Sequence, residues 1–554
     1  MVRRGAPDTG SHETSEIIKA WIEYCVGSHS DCATSVQTTG RLPTRLLQIE
    51  KSWESFKIKL CLSSALSPFT SYATLSHVWG SGSPMRLVNE NVLQYQQDIP
   101  LASLPQTFAD AIQLTNALGL SYLWIDSLCI IQDSTVDWEV ESTTMCDIYR
   151  GSTINVAASA SVDCNGGLFR QRNPLLVTPC IMDVSYKQEA GARKGGPYAL
   201  SCEIACDRDP LVDEPLSRRA WPVQERILAP RTVYFTARKI YFACCKKMTS
   251  DVDPCSLIGY NGFNEDLVNI WTRNRPALAP HSPKLDFCLK HWKRVVQQYT
   301  HGQLSFESDK LVAIAGLAKH MQRTCLIPNI TYLAGLWSFE LIDWLMWRRS
   351  KTLRSLARPK AYRAPSWSWA SVEGEVEWKP DRSSYEKFGT ANFEMRTSPT
   401  SNQLYGASIV EARTSPTSDP FGSVHEGYIR IRGHFCNWRD GTRTPWRRIR
   451  RPDLSWDVVT HRDDREDTLA NPDEIMFFIL RVEGSVESTS TNPLDRNVEG
   501  LVLEHTRDKK GQYKRIGGFE DRGNYILAVS QRFCPAEHLF MEVDGNRRYT
   551  IEII

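Results

Sequence analysis

The sequence has little net charge, no long apolar run and no glycine-rich phosphate loop, and each absence removes a class of function. Lys and Arg number 66 against 64 Asp and Glu, a formal +2 over 554 residues. That balance disfavours a nucleic-acid binder, and the densest basic run, Arg443 to Arg451 (RTPWRRIRR), reads as a solvated loop or edge. No uninterrupted apolar stretch reaches membrane-spanning length, because the best candidate, Tyr332 to Trp347, is interrupted by Glu340 and Asp343. The amino-terminal MVRRGAPDTGSHETSE has no apolar core of a secretory signal, so a soluble, cytoplasmic protein without membrane contact is expected. No G-x4-G-K-[ST] is present, no G-x-G-x-x-G, and no repeat array. The 16 cysteines are scattered rather than spaced as a disulfide framework, which reads as free core thiols in a reducing compartment.

What is present is ordinary globular composition, 41% hydrophobic and 23% charged, in a chain long enough for roughly two to four domains. The most informative stretch is Tyr122 to Tyr149 (YLWIDSLCIIQDSTVDWEVESTTMCDIY). Tyr122 to Ile125 has the length and composition of a strand buried on both faces, and Asp126 arrives at its carboxyl end, the edge where open α/β sheets bind ligands. Advancing by the helical period from Trp138 puts Glu141, Met145, Ile148 and Tyr149 in one arc and leaves Glu139, Val140 and Cys146 outside it. A carboxylate inside a buried stripe needs a partner or a raised pKa. Glu141 is therefore either half of a structural ion pair or a functional acid.

Tyr72 to Gly80 (YATLSHVWG) reads as a second short strand with Ser76, His77 and Trp79 at its carboxyl end. Ser76 and His77 are adjacent on a strand, so only one of them can face a given site. A helix over Leu104 to Leu118, with Pro105 at its start and Gly119 at its stop, joins these two strands. The helix from Trp138 to Tyr149 leads to a third strand, Thr153 to Ala158 (TINVAA). Parallel strands with crossover helices give a small doubly wound α/β core. Ahead of it, Arg45 to Ile49 and Phe56 to Leu60 read as a hairpin. Pro215 to Arg231 (PLSRRAWPVQERILAPR) crowds Arg218, Arg219, Gln224, Glu225 and Arg226 around a short helix, and Arg218 or Arg219 is a natural partner for Glu141 or Asp126.

Near the amino terminus, a helix over Ile17 to Val26 ends in a C-x3-H-x2-C cluster of Cys25, His29 and Cys32. A closed zinc site needs a fourth donor, and none stands out at suitable spacing. A packed helix end is favoured and no metal is expected. Downstream, His291 to Tyr299 and Ser308 to Met321 have amphipathic helical spacing, with Ser308 as a plausible cap, and Tyr332 to Trp347 extends a helical segment. Trp367 and Trp369 in RAPSWSWAS would share one strand face, as core packing rather than a stacking platform. Beyond Glu375 the pattern turns β-like at Tyr428 to Gly433, Ile475 to Val482, Gly500 to Glu504, Tyr525 to Ser530 and Tyr549 to Ile554. Ser383 to Ser423 and Glu483 to Asn497 read as flexible insertions. The expected organisation is a lead-in over 1–60, an α/β domain over 61–245, a helical accessory region over 246–375 and a β-rich region over 376–554.

YATLSHVWG, LPQTFADAI, YLWIDSLCIIQDS with DWEVE and MCDIY, GLF, and PLSRRAWPVQERILAPR followed by Tyr234 and Phe235 resemble the ordered motifs of the fungal HET (heterokaryon incompatibility) domain family. With the lead-in WIEYC to LPTRLL, the resemblance covers roughly residues 17 to 245, and SDKLVAIAGLA, YLAGLW and RAPSWSWAS resemble the accessory region of long members. The chain departs from the pattern where Ala220 stands for a common Gly, and Pro222 and Val223 for Thr-Leu. The resemblance implies a TIR- or flavodoxin-like sheet and a role in non-self recognition that triggers programmed cell death. A protein partner or allelic counterpart and homo-oligomerisation fit that role. It also leaves open a TIR-like NAD+ glycohydrolase, with NAD as substrate rather than cofactor, and recruitment as an enzyme of a fungal biosynthetic cluster. For an enzyme, Glu141 and Asp126 are the candidate catalytic groups, and Ser76, His77, Trp79, Arg219, Gln224 and Glu225 the candidate ligand-binding residues.

Overall fold

A computed structural model describes residues 6–30, 32, 41–51, 55–80, 82, 85–178, 180–187, 193–200, 210–252, 283–325, 330–350, 358–359, 361–379, 403–437, 449–450, 457–462, 475–483, 497–522, 530 and 534–554. The chain divides into two compact units, Met1–Ala277 with Lys319–Cys325, and Leu278–Ala318 with Leu326–Ile554.

The first unit opens with helix α1, His12–Ser28, whose amino end is capped by Ser11 Oγ accepting from the Thr14 N–H. Strands β1 (Arg45–Lys51) and β2 (Phe56–Leu62) form the expected hairpin, two residues longer at each strand's far end. Then come β3 (Ala73–Ser76), α2 (Gln106–Ala117), β4 (Tyr122–Ile125), α3 (Thr135–Gly151) and β5 (Ile154–Ala157). A separate antiparallel pair, β6 (Cys180–Lys187) and β7 (Arg193–Leu200), precedes α4 (Pro222–Leu228), β8 (Arg231–Phe235), β9 (Ile240–Cys244) and β10 (Met248–Ser250). Pro222 occupies the first turn of α4, where a missing N–H costs nothing, so the departure from the family pattern does not break the helix.

Eight strands make one sheet in the order β10-β9-β8-β5-β3-β4-β1-β2. Its centre is parallel: β3 pairs with β4 on one side (Ala73 opposite Leu123) and with β5 on the other (Thr74 opposite Asn155), and β5 pairs with β8 (Val156 opposite Val233). The hairpins at both ends are antiparallel. The chain thus leaves β3 for β4, then returns past β3 to place β5 on its other flank, and the sheet direction of travel reverses there. Leu75, Leu123, Trp124, Ile125, Ile154 and Val156 are fully buried, as strands covered on both faces require. In α3, Glu141, Met145, Ile148 and Tyr149 are buried as the helical period demands. Cys146, outside the predicted arc, is buried too, so the packed face is wider than one stripe; Trp138 is only half-buried.

Backbone geometry fixes the glycines at 80 and 167. Gly80 has φ +84° and a Cβ there would lie 2.6 Å from Asp163 Cβ; Gly167 has φ +71° and its Cβ would meet Asp110 Oδ2 at 2.9 Å. Asp110 in turn accepts from the Leu168 N–H at 2.7 Å and the Phe169 N–H at 3.2 Å, so the GLF motif is the turn that this carboxylate ties to α2.

The second unit contains the helices Pro283–His301 and, in part, Val312–Cys325, with Trp292, Val295, Val296, Tyr299, Leu311, Ile314 and Leu317 fully buried. Ser308 lies in the one-turn helix Glu307–Lys310 and hydrogen-bonds Asp309, so it is not the cap of the following helix. Tyr332 to Trp347 is not a helix: it forms the two-residue strands Tyr332–Leu333 and Leu336–Trp337 and a single turn, Leu341–Trp344. The bulky, apolar residues that mimic helical spacing there serve a tight hairpin turned by Ala334 and Gly335, both at positive φ. Trp367 and Trp369 are fully buried as expected, yet the segment is a turn rather than a strand, and the Trp369 indole donates to Gly335 O at 3.0 Å.

The β-rich carboxyl-terminal region is an 11-stranded sheet running through Gln403–Tyr405, Ile475–Glu483, Asn497–His505, Gln512–Arg522, Tyr549–Ile553, Val424–Gly433 and Ala407–Pro416. Ala407–Pro416 falls inside the stretch read as an insertion; it pairs along its length with Val424–Gly433, and its burial alternates too weakly to have marked it as a strand. The Arg443 to Arg451 run, the Tyr525 to Ser530 stretch and residues 484–496 fall almost wholly outside the described residues. Among the described residues, no helix is long and apolar enough to cross a membrane.

Candidate functional site

The parallel strands β3 and β4 end side by side, so the residues that follow them meet at one edge. Ser76 closes β3 and His77, Val78 and Trp79 continue beyond it; Asp126 follows β4 directly. Asp126 accepts from the Trp79 indole N–H at 2.9 Å through Oδ2 and from the Ser127 N–H at 2.7 Å through Oδ1. His77 Nδ1 stands 3.7 Å from the same Oδ1. The residue is 3% exposed, its ring packed edge-on to Phe108 and parallel to Trp79, and among the described residues neither ring nitrogen has a hydrogen-bond partner. Burial lowers the His77 pKa to about 4, with Asp126 pulling it back up and Arg219 pushing it further down, so the imidazole is neutral.

The far wall comes from β5, α3 and α4. Ser76 and Thr74 both donate to Asn155 Oδ1, at 3.1 and 3.0 Å. Tyr149 and Glu225 join this group through hydrogen bonds between each other and to Ser76. Glu225 is raised to about 7, first by burial and then by the charge of Asp126, against the Ser76 and Tyr149 hydroxyls and Arg219, which lower it. The Tyr149 phenol is pushed well above its usual range by burial and by Glu225 and Asp126. Among the described residues, Glu225 Oε2 has no hydrogen-bond partner, and neither does Gln224 Oε1. Arg219 donates to the His77 carbonyl at 2.6 Å, which fixes the backbone that carries the ring.

Glu141 lies elsewhere. It is 1% exposed, and its pKa is raised by burial, partly offset by a hydrogen bond from Thr44 and the charge of Arg45. Arg45 donates to Cys129 O at 2.8 Å and forms an ion pair with Asp137. Glu141 and Asp126 share no hydrogen bond or ion pair among the described residues, and neither is bridged by Arg218 or Arg219. The cation beside Glu141 comes from β1, which the antiparallel pairing with β4 brings alongside. Of the residues singled out in the sequence, the structure therefore gathers Ser76, His77, Trp79, Asp126, Arg219 and Glu225, with Gln224 beside them on α4, and places Glu141 in a separate charged cluster. Asn155 and Tyr149 belong to the site and were not singled out. For Asn155 the available signal was a lone polar residue inside the buried run INVA.

A neutral imidazole, a carboxyl group that burial raises to about 7 and a partly exposed carboxylate gather at the carboxyl edge of the parallel strands, the edge where open α/β sheets bind ligands. Residues 72–225 match the family model described as heterokaryon incompatibility protein (HET), so the matched stretch opens at the residue before β3 and ends at Glu225. No curated protein and no solved structure matches the chain.

Proposed function

We propose that this is an incompatibility-type effector of a fungal cell, in which the α/β unit senses a protein partner or allelic counterpart in the cytoplasm and its engagement triggers programmed cell death. The observation that carries this reading is the HET match, which spans every residue of the site at the β3 and β4 edge. The site supports a ligand-dependent trigger, because buried polar atoms without partners are rare in native folds and here His77, Gln224 and Glu225 all carry them. Expression in a filamentous fungal host tests it: wild type arrests growth, and Asp126→Asn and Glu225→Gln at matched levels restore it. Unaffected growth with wild type, including on co-expression of allelic partners, would overturn it.

A second reading, a TIR-like NAD+ glycohydrolase, has its own support. Numbering the parallel strands β3, β4, β5 and β8 as one to four gives the spatial order 2-1-3-4, the beginning of the flavodoxin-like order, and the site lies at the ends of its first two strands. In this reading Glu225 and Asp126, rather than Glu141, stabilise charge developing on the ribose. Nicotinamide release by wild type and its loss in folded Glu225→Gln would support it. No release even after forced oligomerisation sinks it and leaves the effector reading standing.

A further inference from the structure

We propose that Cys25, His29, Cys32 and Cys244 form a closed Cys3His site for a zinc ion that clamps α1 to the β9 edge of the sheet. The sequence supplies three of these donors in one short cluster; the fold brings the fourth from the last residue of β9. One ligand atom from each residue lies within 4.8 Å of all the others. Tetrahedral zinc, with Zn–S of about 2.3 Å and Zn–N of about 2.05 Å, requires about 3.6 Å between a sulfur and an imidazole nitrogen. His29 Nδ1 stands 3.5 Å from Cys244 Sγ and 3.8 Å from Cys32 Sγ.

The backbone around the cluster is shaped for it. His29 ends α1, its N–H closing on Cys25 O at 3.0 Å, and the Cys32 N–H closes on His29 O at 3.0 Å, so one tight segment presents three donors to the same point. Cys25 and Cys32 are fully buried, and all of the cysteines in the group are free thiols rather than disulfides. At Cys244 the chain turns back, with its N–H on Lys247 O, and the Lys246 N–H points at Cys244 Sγ from 3.5 Å, the kind of donor that stabilises a metal-bound thiolate. Three thiolates, a neutral imidazole and a divalent ion carry one net negative charge. Positive groups border it: Arg231, 1% exposed, donates to Cys32 O at 2.9 Å, and the Lys247 ammonium lies over the Tyr24 ring, which itself meets His29 edge-on. Sulfur-rich donors favour zinc over hard cations. Four protein donors leave no open position, so the site is structural. Its mechanical partners are already in contact, since Trp21 of α1 stacks on Phe242 of β9 at 5.5 Å. All four donors lie outside residues 72–225.

Purified full-length protein, reconstituted anaerobically, is expected to hold one zinc per chain by elemental analysis. Cobalt in its place should give the visible bands of a tetrahedral thiolate site. Cys244→Ser should lose stoichiometric metal and the drop in melting temperature that a chelator causes in wild type. Cys245→Ser should keep both, because that thiol donates to Pro230 O and is not one of the four convergent donors. His29→Cys should keep the metal with a cobalt spectrum shifted toward four sulfurs, and it decides the matter if Cys244→Ser does not fold. Substoichiometric metal in reconstituted wild type, equal metal affinity in Cys244→Ser and Cys245→Ser, or a folded His29→Cys without metal would each overturn the assignment.

Discussion

Two glutamates, Glu141 and Glu225, are buried in the same α/β unit, each with one oxygen that has no hydrogen-bond partner among the described residues, and both have raised pKa values with burial as the first cause. Their neighbours separate them. Glu141 sits beside Arg45, which is already paired with Asp137; Arg45 donates to the Cys129 carbonyl and Asp137 accepts from the Ile131 N–H, which knits β1, the turn after β4 and the start of α3 together. Glu225 faces the Ser76 and Tyr149 hydroxyls and the charge of Asp126, with Arg219 acting on it from further off, and among the described residues no lysine or arginine forms an ion pair with it or with Asp126. A carboxylate beside a committed cation holds elements in place. One surrounded by hydroxyls and a like charge is free to change protonation, which is what a ligand site needs.

The sharpest way to break this comparison is to remove the cation. Arg45 is 7% exposed, and truncating one partner of a buried pair leaves the other charge uncompensated, at about 3–5 kcal/mol. Arg45→Met is expected to lose stability of that order in urea unfolding, while the state of the Glu225 site, read by its pH dependence, stays as in wild type. A loss below about 1 kcal/mol, the range of a surface pair, would mean that the Arg45 cluster is not structural.

The next effect is in pH. Glu225 moves from an ordinary 4.5 to about 7, so the folded state binds its proton more tightly; that stability is complete below about pH 4.5 and is lost as pH rises through about 7. His77 moves from 6.5 to about 4, so its contribution is complete above about pH 6.5 and is lost as pH falls through about 4. Each is worth about 3 kcal/mol, and between about pH 4.5 and 6.5 they oppose and nearly cancel. Wild type should therefore show a flat contribution from this site across that window. Glu225→Gln should uncover a stability that rises with pH there, and His77→Gln one that falls. Parallel profiles for the two variants would show that the groups do not titrate as their surroundings dictate.

The difference between the two glutamates was only partly legible in the sequence. Periodicity located Glu141 in a buried stripe and strand-end logic located Asp126, because both signals are local: a helical angle and the end of an apolar run. The parallel pairing of β3 with β4 and the β1–β2 hairpin were legible for the same reason. Which cation meets which acid was not, since Arg45 reaches Glu141 through the pairing of β1 with β4, and Glu225 reaches Ser76 and Tyr149 through the return of the chain to β5 and β8. Cys244 escaped notice likewise, as a donor delivered by β9 rather than by spacing. Tyr332 to Trp347 failed in the opposite direction, because apolar spacing alone cannot tell a helix from a tight aromatic hairpin whose turn needs positive φ.

The smallest expected effect concerns the exposed rim of the Glu225 site. The Trp79 indole donates to Asp126 Oδ2 at 2.9 Å, while the ring lies parallel to His77 with centroids 6.5 Å apart. Trp79→Phe keeps a ring over the imidazole and deletes the N–H. A hydrogen bond to a charged acceptor is worth about 1.5–3 kcal/mol when the acceptor is left unsatisfied, but Asp126 has a side chain 25% exposed and retains the Ser127 N–H, so water replaces much of it. The expected cost is about 1 kcal/mol or less in unfolding, against a loss of growth arrest comparable to that of Asp126→Asn. An intact arrest phenotype in a stable Trp79→Phe protein would move Trp79 out of the ligand site and into the same structural category as Arg45. The comparison would then rest on Glu225 and His77, whose opposite pKa shifts share burial as their first cause.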